Sequence, residues 1–351
     1  MHTLSKATGP VIAVCLATLL ATSALAQSAP AYKAPRNALG QPDLGENWSN
    51  ASLTPEQRPT KLGQRSTYTP DEVKKLEQAV VDEVELGNRR TAADAPINVD
   101  NGLNSRPEFA AAAGNVGGYN RGWLDPGSAV MRVGGEARTS LLTTPDGRVP
   151  AHKPGAVRST VARGVGGSFD NPESRSLGER CIISFGRNGG PPMLANGFYN
   201  NNYRFVQSKD AIAIEVEMAH DVRTIRLNAK DHLPSDIRPY FGDSIGHWEG
   251  DTLVVETTNI PQSQEYNGSW EHLKVTERFT RMAKDRLDYR YTIEDPTQWD
   301  KPFGGEYEFS PLKGMLMEYA CHEGNYALEG ILAGARQADP VAPKTAAAKA
   351  P

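Results

Sequence analysis

The chain reads as a mainly β protein, an antiparallel barrel or sandwich with an irregular, partly helical N-terminal region and a short C-terminal helix. Three observations carry this. From 179 to 323, short runs that alternate apolar and polar residues recur between turn signals, with no long helical period among them. The 33 Gly and 25 Pro supply the turns such a chain needs. Ahead of that stretch, Pro, Gly, Ala and Asn dominate and periodicity is confined to one helix and one hairpin.

The elements follow in order. Residues 11–26 are apolar, follow a weakly basic start (His2, Lys6) and end in Ala24-Leu25-Ala26, the layout of a cleavable secretory signal over 1–26. A run of about 16 residues is short of the roughly 20 a bilayer-spanning helix needs, so the mature chain is expected in the periplasm or outside the cell, with no transmembrane segment. Residues 27–59 hold five prolines spaced too closely for regular structure. At Thr69-Pro70-Asp71-Glu72 an N-cap, a proline at the first helical position and a capping-box Glu open a helix striped by Leu76, Val80, Val81, Val84 and Leu86. The stretch 87–127 is irregular, with Trp123 as a possible anchor, and two β runs around Gly134-Gly135 form a hairpin within 129–142.

The strands are expected at 181–185, 203–207, 211–218, 222–227, 245–249, 252–258, 273–280, 287–293, 306–309 and 315–321, before a helix over 325–336 and a disordered tail. This divides the chain into a signal peptide at 1–26, an extended and partly helical region at 27–170 packing on the barrel, the barrel domain at 171–336 and a tail at 337–351. Alternation separates two faces. Leu287, Tyr289, Tyr291 and Ile293 oppose Asp288, Arg290 and Thr292, and Leu273, Val275 and Phe279 oppose Lys274, Thr276, Arg278 and Thr280. Either the apolar face fills the barrel, or the N-terminal region covers it from outside and the polar face lines a ligand-binding lumen.

Composition excludes some functions. A formal net charge of -4, from 38 basic and 42 acidic side chains, offers no nucleic-acid footprint. The chain lacks a phosphate-binding Gly loop with its Lys, a dinucleotide fingerprint, Cys-x-x-Cys, H-E-x-x-H and Gly-x-Ser-x-Gly, so no organic cofactor is expected. Once 1–26 is removed, Cys181 and Cys321 remain, in a compartment that allows either a bridge or two separate buried thiols.

The candidate chemistry lies in ionisable clusters at strand ends. His220 with Asp221 or Glu217 could form an acid-base unit, because imidazole exchanges protons near neutrality and a neighbouring carboxylate can fix its tautomer. The plainer alternative is a histidine satisfied by backbone groups at the barrel rim. His322 and Glu323 form a second cluster, which could equally be a charged capping turn, and His247 lies at a third, a hairpin tip. A metal held by His220, His247 and His322 is the weaker reading, and none is expected. Arg223 or Arg278 would pair with an anionic group, while Trp248, Tyr289, Tyr291 and Tyr319 would contact an aromatic or hydroxylated small molecule. The expected function is proton transfer of a lyase, decarboxylase or hydrolase type on such a molecule held in a cavity of the barrel. The alternative is a non-catalytic binding protein.

The sequence also resembles a family of uncharacterised exported bacterial proteins with a lipocalin-like β domain. The resemblance rests on Gly40-Gln-Pro-Asp-Leu44, Arg138-Thr-Ser-Leu-Leu142, Pro145-Asp-Gly-Arg-Val-Pro150 and Pro172-Glu-Ser-Arg-Ser-Leu-Gly-Glu-Arg-Cys181. It continues in Gly190-Pro-Pro-Met-Leu194, Tyr199-Asn-Asn-Asn-Tyr203, Glu217-Met-Ala-His-Asp-Val-Arg223, Ser244-Ile-Gly-His-Trp-Glu-Gly-Asp-Thr-Leu253 and Cys321-His-Glu-Gly-Asn-Tyr326. It spans most of 40–336 and implies a lipocalin-like barrel, without implying a reaction. Relatives often carry Arg where this chain has His247, which lowers that histidine as a catalytic candidate.

Overall fold

The computed structural model describes residues 32–87, 125–159, 168–197, 199–312, 314–322 and 326–338. The chain divides into two compact units, Met1–Tyr32 and Lys33–Pro351, and all the described strands and helices lie in the second. The signal segment 1–26, Trp123, Glu323 and the tail beyond 338 lie outside the described residues.

In chain order the elements are β1 (Asn47–Ser49), α1 (Pro70–Gly87), and a hairpin of β2 (Arg132–Val133) and β3 (Glu136–Ala137). There follow β4 (Asn202–Gln207), β5 (Ala211–Val216), β6 (Asp221–Leu227), β7 (Asp243–Glu249), β8 (Thr252–Thr258), β9 (Lys274–Ala283), β10 (Arg286–Glu294), β11 (Phe303–Pro311) and α2 (Tyr326–Ala338). The α1 capping box forms as its residue types dictate: Glu72 N–H donates to Thr69 Oγ1 at 3.3 Å, and Thr69 N–H to Glu72 Oε2 at 2.8 Å. Gly134 and Gly135, both at positive φ, turn the β2–β3 hairpin.

Nine strands close into a barrel in the order β1-β11-β10-β9-β8-β7-β6-β5-β4. A closed ring of antiparallel neighbours needs an even number of strands, so a nine-stranded ring must contain a parallel pair. That pair is β6–β7, in register from Ile225↔Ser244 to Leu227↔Gly246, the exception among antiparallel neighbours around the ring. The excursion 228–242 between β6 and β7 carries the chain back so that both run the same way.

The apolar faces point inward. Phe205, Phe279, Tyr289, Tyr307 and Phe309, from four strands, are each at most 2% exposed. Their rings meet at centroid separations of 4.9 Å for Phe279–Tyr289, 4.8 Å for Tyr289–Tyr307 and 5.1 Å for Tyr307–Phe309. Trp48, Ile214, Val255, Val275 and Ile293 complete the same core. The polar-lined lumen is therefore not the arrangement adopted. Lys274, Arg278 and Arg290 sit on the outer face and pair there with Glu294, Glu249 and Asp288, where solvent spares them the desolvation that an interior position would exact.

Residues 187–194 plug one mouth. The Tyr307 hydroxyl donates to the Met193 carbonyl at 2.7 Å, and Met193 N–H donates to the Tyr289 hydroxyl at 2.9 Å. Arg187 anchors the plug by donating to the carbonyls of Gln264 and Glu265 at 2.6 and 2.8 Å, and to that of Pro191. Gly190 is required here: its φ is +72°, and a Cβ would lie 2.9 Å from Met193 N. Residues of the segment before the barrel strands contact β11, with Thr143 N–H donating to Gly304 O at 2.9 Å and Arg138 pairing with Glu306 at 3.0 Å.

Two expected strands do not form. Residues 181–185 cannot extend because Cys181 holds φ 58, and 315–321 find no edge because β1 already pairs with both β11 and β4. The methionines that suggested an apolar face at 315–321, Met315 and Met317, are 74% and 66% exposed. No helix among the described residues is long and apolar enough to cross a membrane.

Candidate functional site

The turn from β5 to β6 places His220. Ala219 and His220 both adopt left-handed backbone, φ 58 and 47, a conformation costing about 1–2 kcal/mol for each non-glycine residue. Strain of this kind persists where the surroundings enforce it, and it turns the imidazole out to solvent while Asp221 turns in. His220 Nδ1 lies 3.2 Å from the Tyr319 carbonyl oxygen. A carbonyl only accepts, so Nδ1 carries the proton and Nε2 presents the lone pair. The tautomer is thus set by a backbone carbonyl, and neither Asp221 nor Glu217 plays the orienting part expected for it.

That carbonyl belongs to a strap, residues 315–322, which crosses the barrel rim. Glu217, 5% exposed, accepts Met317 N–H at 2.6 Å and also bonds Asn202, so its carboxylate anchors the strap. A disulfide joins Cys181 to Cys321, with Cα atoms 5.3 Å apart. It leaves His322 beside His220, ring centroids 6.5 Å apart, with both side chains exposed. Tyr199 and Tyr319 stack next to them, 6.2 Å apart and inclined by 20°. The pairing of the two cysteines, left open by the sequence, is what brings the two histidines together.

Asp221 is 5% exposed and accepts Ser184 N–H at 3.0 Å. Burial pushes its carboxyl up to about 6, against the opposing pull of the Ser184 hydrogen bonds and the nearby His220. Between about pH 4 and pH 6 the native carboxyl therefore holds a proton that the unfolded chain has released. Stability falls through that window as pH rises, by about 3 kcal/mol. Chemical denaturation at pH 4 and pH 7 should show this fall in the wild type relative to Asp221→Asn, which keeps the Ser184 contact without the charge. Equal pH dependence in the two proteins would refute the assignment.

The other expected site residues are dispersed. Arg223 lies within the barrel, 1% exposed, where its Nη1 donates to Glu277 Oε1 at 3.0 Å and its Nη2 to Glu277 Oε2. Ser244 and Thr257 also accept from Arg223, and the Tyr289 hydroxyl donates to Glu277 Oε1 at 2.8 Å. This group reaches no solvent, and burial holds the Tyr289 phenol well above its ordinary value. Arg223 and Tyr289 are thus partners in the core, away from the rim. Arg278 is on the outer face, donating to Glu249 at 2.7 Å. Trp248 and His247 sit near the end of β7, and because β7 runs parallel to β6, which begins beside His220, they mark the opposite end of the barrel.

Glu277 escaped the sequence reading. It stands in phase with Val275 and Phe279, as Arg223 does with Ile225 and Leu227, and opposite charges in two apolar phases are the signal of an internal pair. Among the described residues, no group of three or more His, Cys, Asp and Glu side chains is placed to hold a metal ion. No family model, curated protein or solved structure matches this chain.

Proposed function

We propose that this chain acts outside the cytoplasm, on a small aromatic or hydroxylated molecule, by proton transfer at the rim formed by His220 and His322. The observation that carries the reading is the approach of two exposed imidazoles from separate parts of the β domain, 6.5 Å between ring centroids. One acceptor nitrogen of defined tautomer beside a second imidazole provides for both removal and return of a proton. The strained backbone at Ala219 and His220 supports a functional demand on that turn, and the stacked Tyr199 and Tyr319 offer aromatic surface to a ring. The signal-like segment at 1–26 and the disulfide support an oxidising compartment. The reaction requires no organic cofactor in this reading.

The test is turnover of a small-molecule extract followed by mass spectrometry, comparing wild type with His220→Asn/His322→Asn. General acid-base groups contribute about 10²–10⁴-fold, so the doubly substituted protein should consume the wild-type substrate at least about a hundredfold more slowly. Equal consumption by the two proteins would overturn the proposal. A second reading, retention without chemistry, is favoured by the same stacked tyrosines, and recovery of an unaltered bound molecule with no product would establish it.

A further inference from the structure

The parallel pair that closes the odd-stranded barrel leaves a notch. β6 ends at Leu227 and pairs with β7 only as far as Gly246, whereas β7 continues to Glu249. The last residues of β7 thus present an unpaired edge on the side that β6 has vacated. Gln41, Lys209 in the turn between β4 and β5, and the segment 228–230 leaving β6 wall the gap, and a pocket of about 370 Å³ results. It lies at the end of the barrel away from His220 and His322 and shares no residue with that rim.

We propose that this notch binds a small anionic aromatic molecule, an aromatic carboxylate or phosphate. Lys209 and Lys230 both line it, and neither makes an ion pair among the described residues. Trp248, half-buried against the core, forms an apolar wall. Two ammonium groups select an anion, and the indole selects a ring. Asp210, next to Lys209 in the β4–β5 turn, is engaged by the Asn228 amide at 3.2 Å. Asn228 itself is held at φ 62, fixing the corner of the notch. The volume is at the small end of the range for ligand sites, which suits a single-ring acid.

The experiment is a titration of the full chain with phenyl phosphate, benzoate and phenol, following indole N–H resonances, with that of Trp248 identified by its loss in Trp248→Phe. The Trp248 resonance should move with at least one of the acids at millimolar concentration and stay in place with phenol. Lys209→Gln/Lys230→Gln should weaken acid binding by about tenfold or more, and Lys230→Gln alone by less. Both lysines are exposed, so folding of these variants is expected and is checked by circular dichroism. A response to one acid alone supports the site and names its headgroup. An unmoved Trp248, an equal response to phenol, or affinity unchanged in the lysine variants would overturn the proposal.

Discussion

Glu277→Ala should destabilise the fold by about 3–5 kcal/mol, the cost of leaving one member of a buried ion pair without its partner. The guanidinium of Arg223 is 1% exposed and Glu277 is fully buried, so neither charge can be rehydrated without opening the barrel. The pair survives there because its hydrogen-bonding capacity is met from several strands: Ser244 on β7, Thr257 on β8 and Tyr289 on β10 all bond to it. Removing the carboxylate strips the compensation from Arg223 and leaves the Tyr289 hydroxyl without its acceptor. The companion Arg223→Met/Glu277→Leu should recover most of the loss, since an apolar pair of similar volume has no charge to desolvate. Urea unfolding of the three proteins measures this directly. A Glu277→Ala protein within about 1 kcal/mol of wild type would mean that water reaches the barrel centre. The turnover proposed for the rim should be unaffected per folded molecule, because Glu277 contacts nothing there.

How much of this was legible beforehand varies by element. The long strands were, because two-residue alternation over β9 and β10 leaves little choice of structure, and α1 was, because its capping box is a local signal. Alternation names two faces without saying which is interior. The decision came from energetics, since the face carrying Lys274, Arg278 and Arg290 is far cheaper to leave in water. β1 was not legible: three residues in a proline-rich stretch have no period, although Trp48 within them is completely buried and helps close the barrel. Nor was the parallel pair, whose register depends on the whole excursion 228–242. At the site, His220 and His322 were each identifiable as ionisable groups at strand ends. Their approach was not, because it depends on a strap that belongs to no sheet and is placed by Glu217 and a disulfide. Residues 315–321 show why: their alternation imitates a strand, yet β1 is already paired on both sides and leaves no edge beside it to receive one.

That strap also sets the second large expectation. Reducing the Cys181–Cys321 bond, or replacing both cysteines by serine, releases a crosslink spanning 140 positions. Loop-closure entropy for a ring of this size corresponds to about 5 kcal/mol at 25 °C, the upper figure for such a bond. The loss should be local as well as global. Without the bond, the strap still has the contact of the buried Glu217 carboxylate to Met317 N–H, the Tyr199–Tyr319 stack and the exposed contact of His220 to the Tyr319 carbonyl. Fraying there would carry His322 away from His220 and free the Nδ1 proton of His220 from its acceptor, so any chemistry that needs both imidazoles should fail while the barrel still stands. Two measurements separate these effects: urea unfolding with and without dithiothreitol for stability, and the hydrogen exchange of 315–322 for the strap. Reduction that shifts unfolding by less than about 1 kcal/mol and leaves strap exchange unchanged would show that the other contacts hold the rim without it. A protected strap lost on reduction, with the core amides of β9 and β10 still protected, would place the disulfide as the element that assembles the candidate site on an already formed barrel.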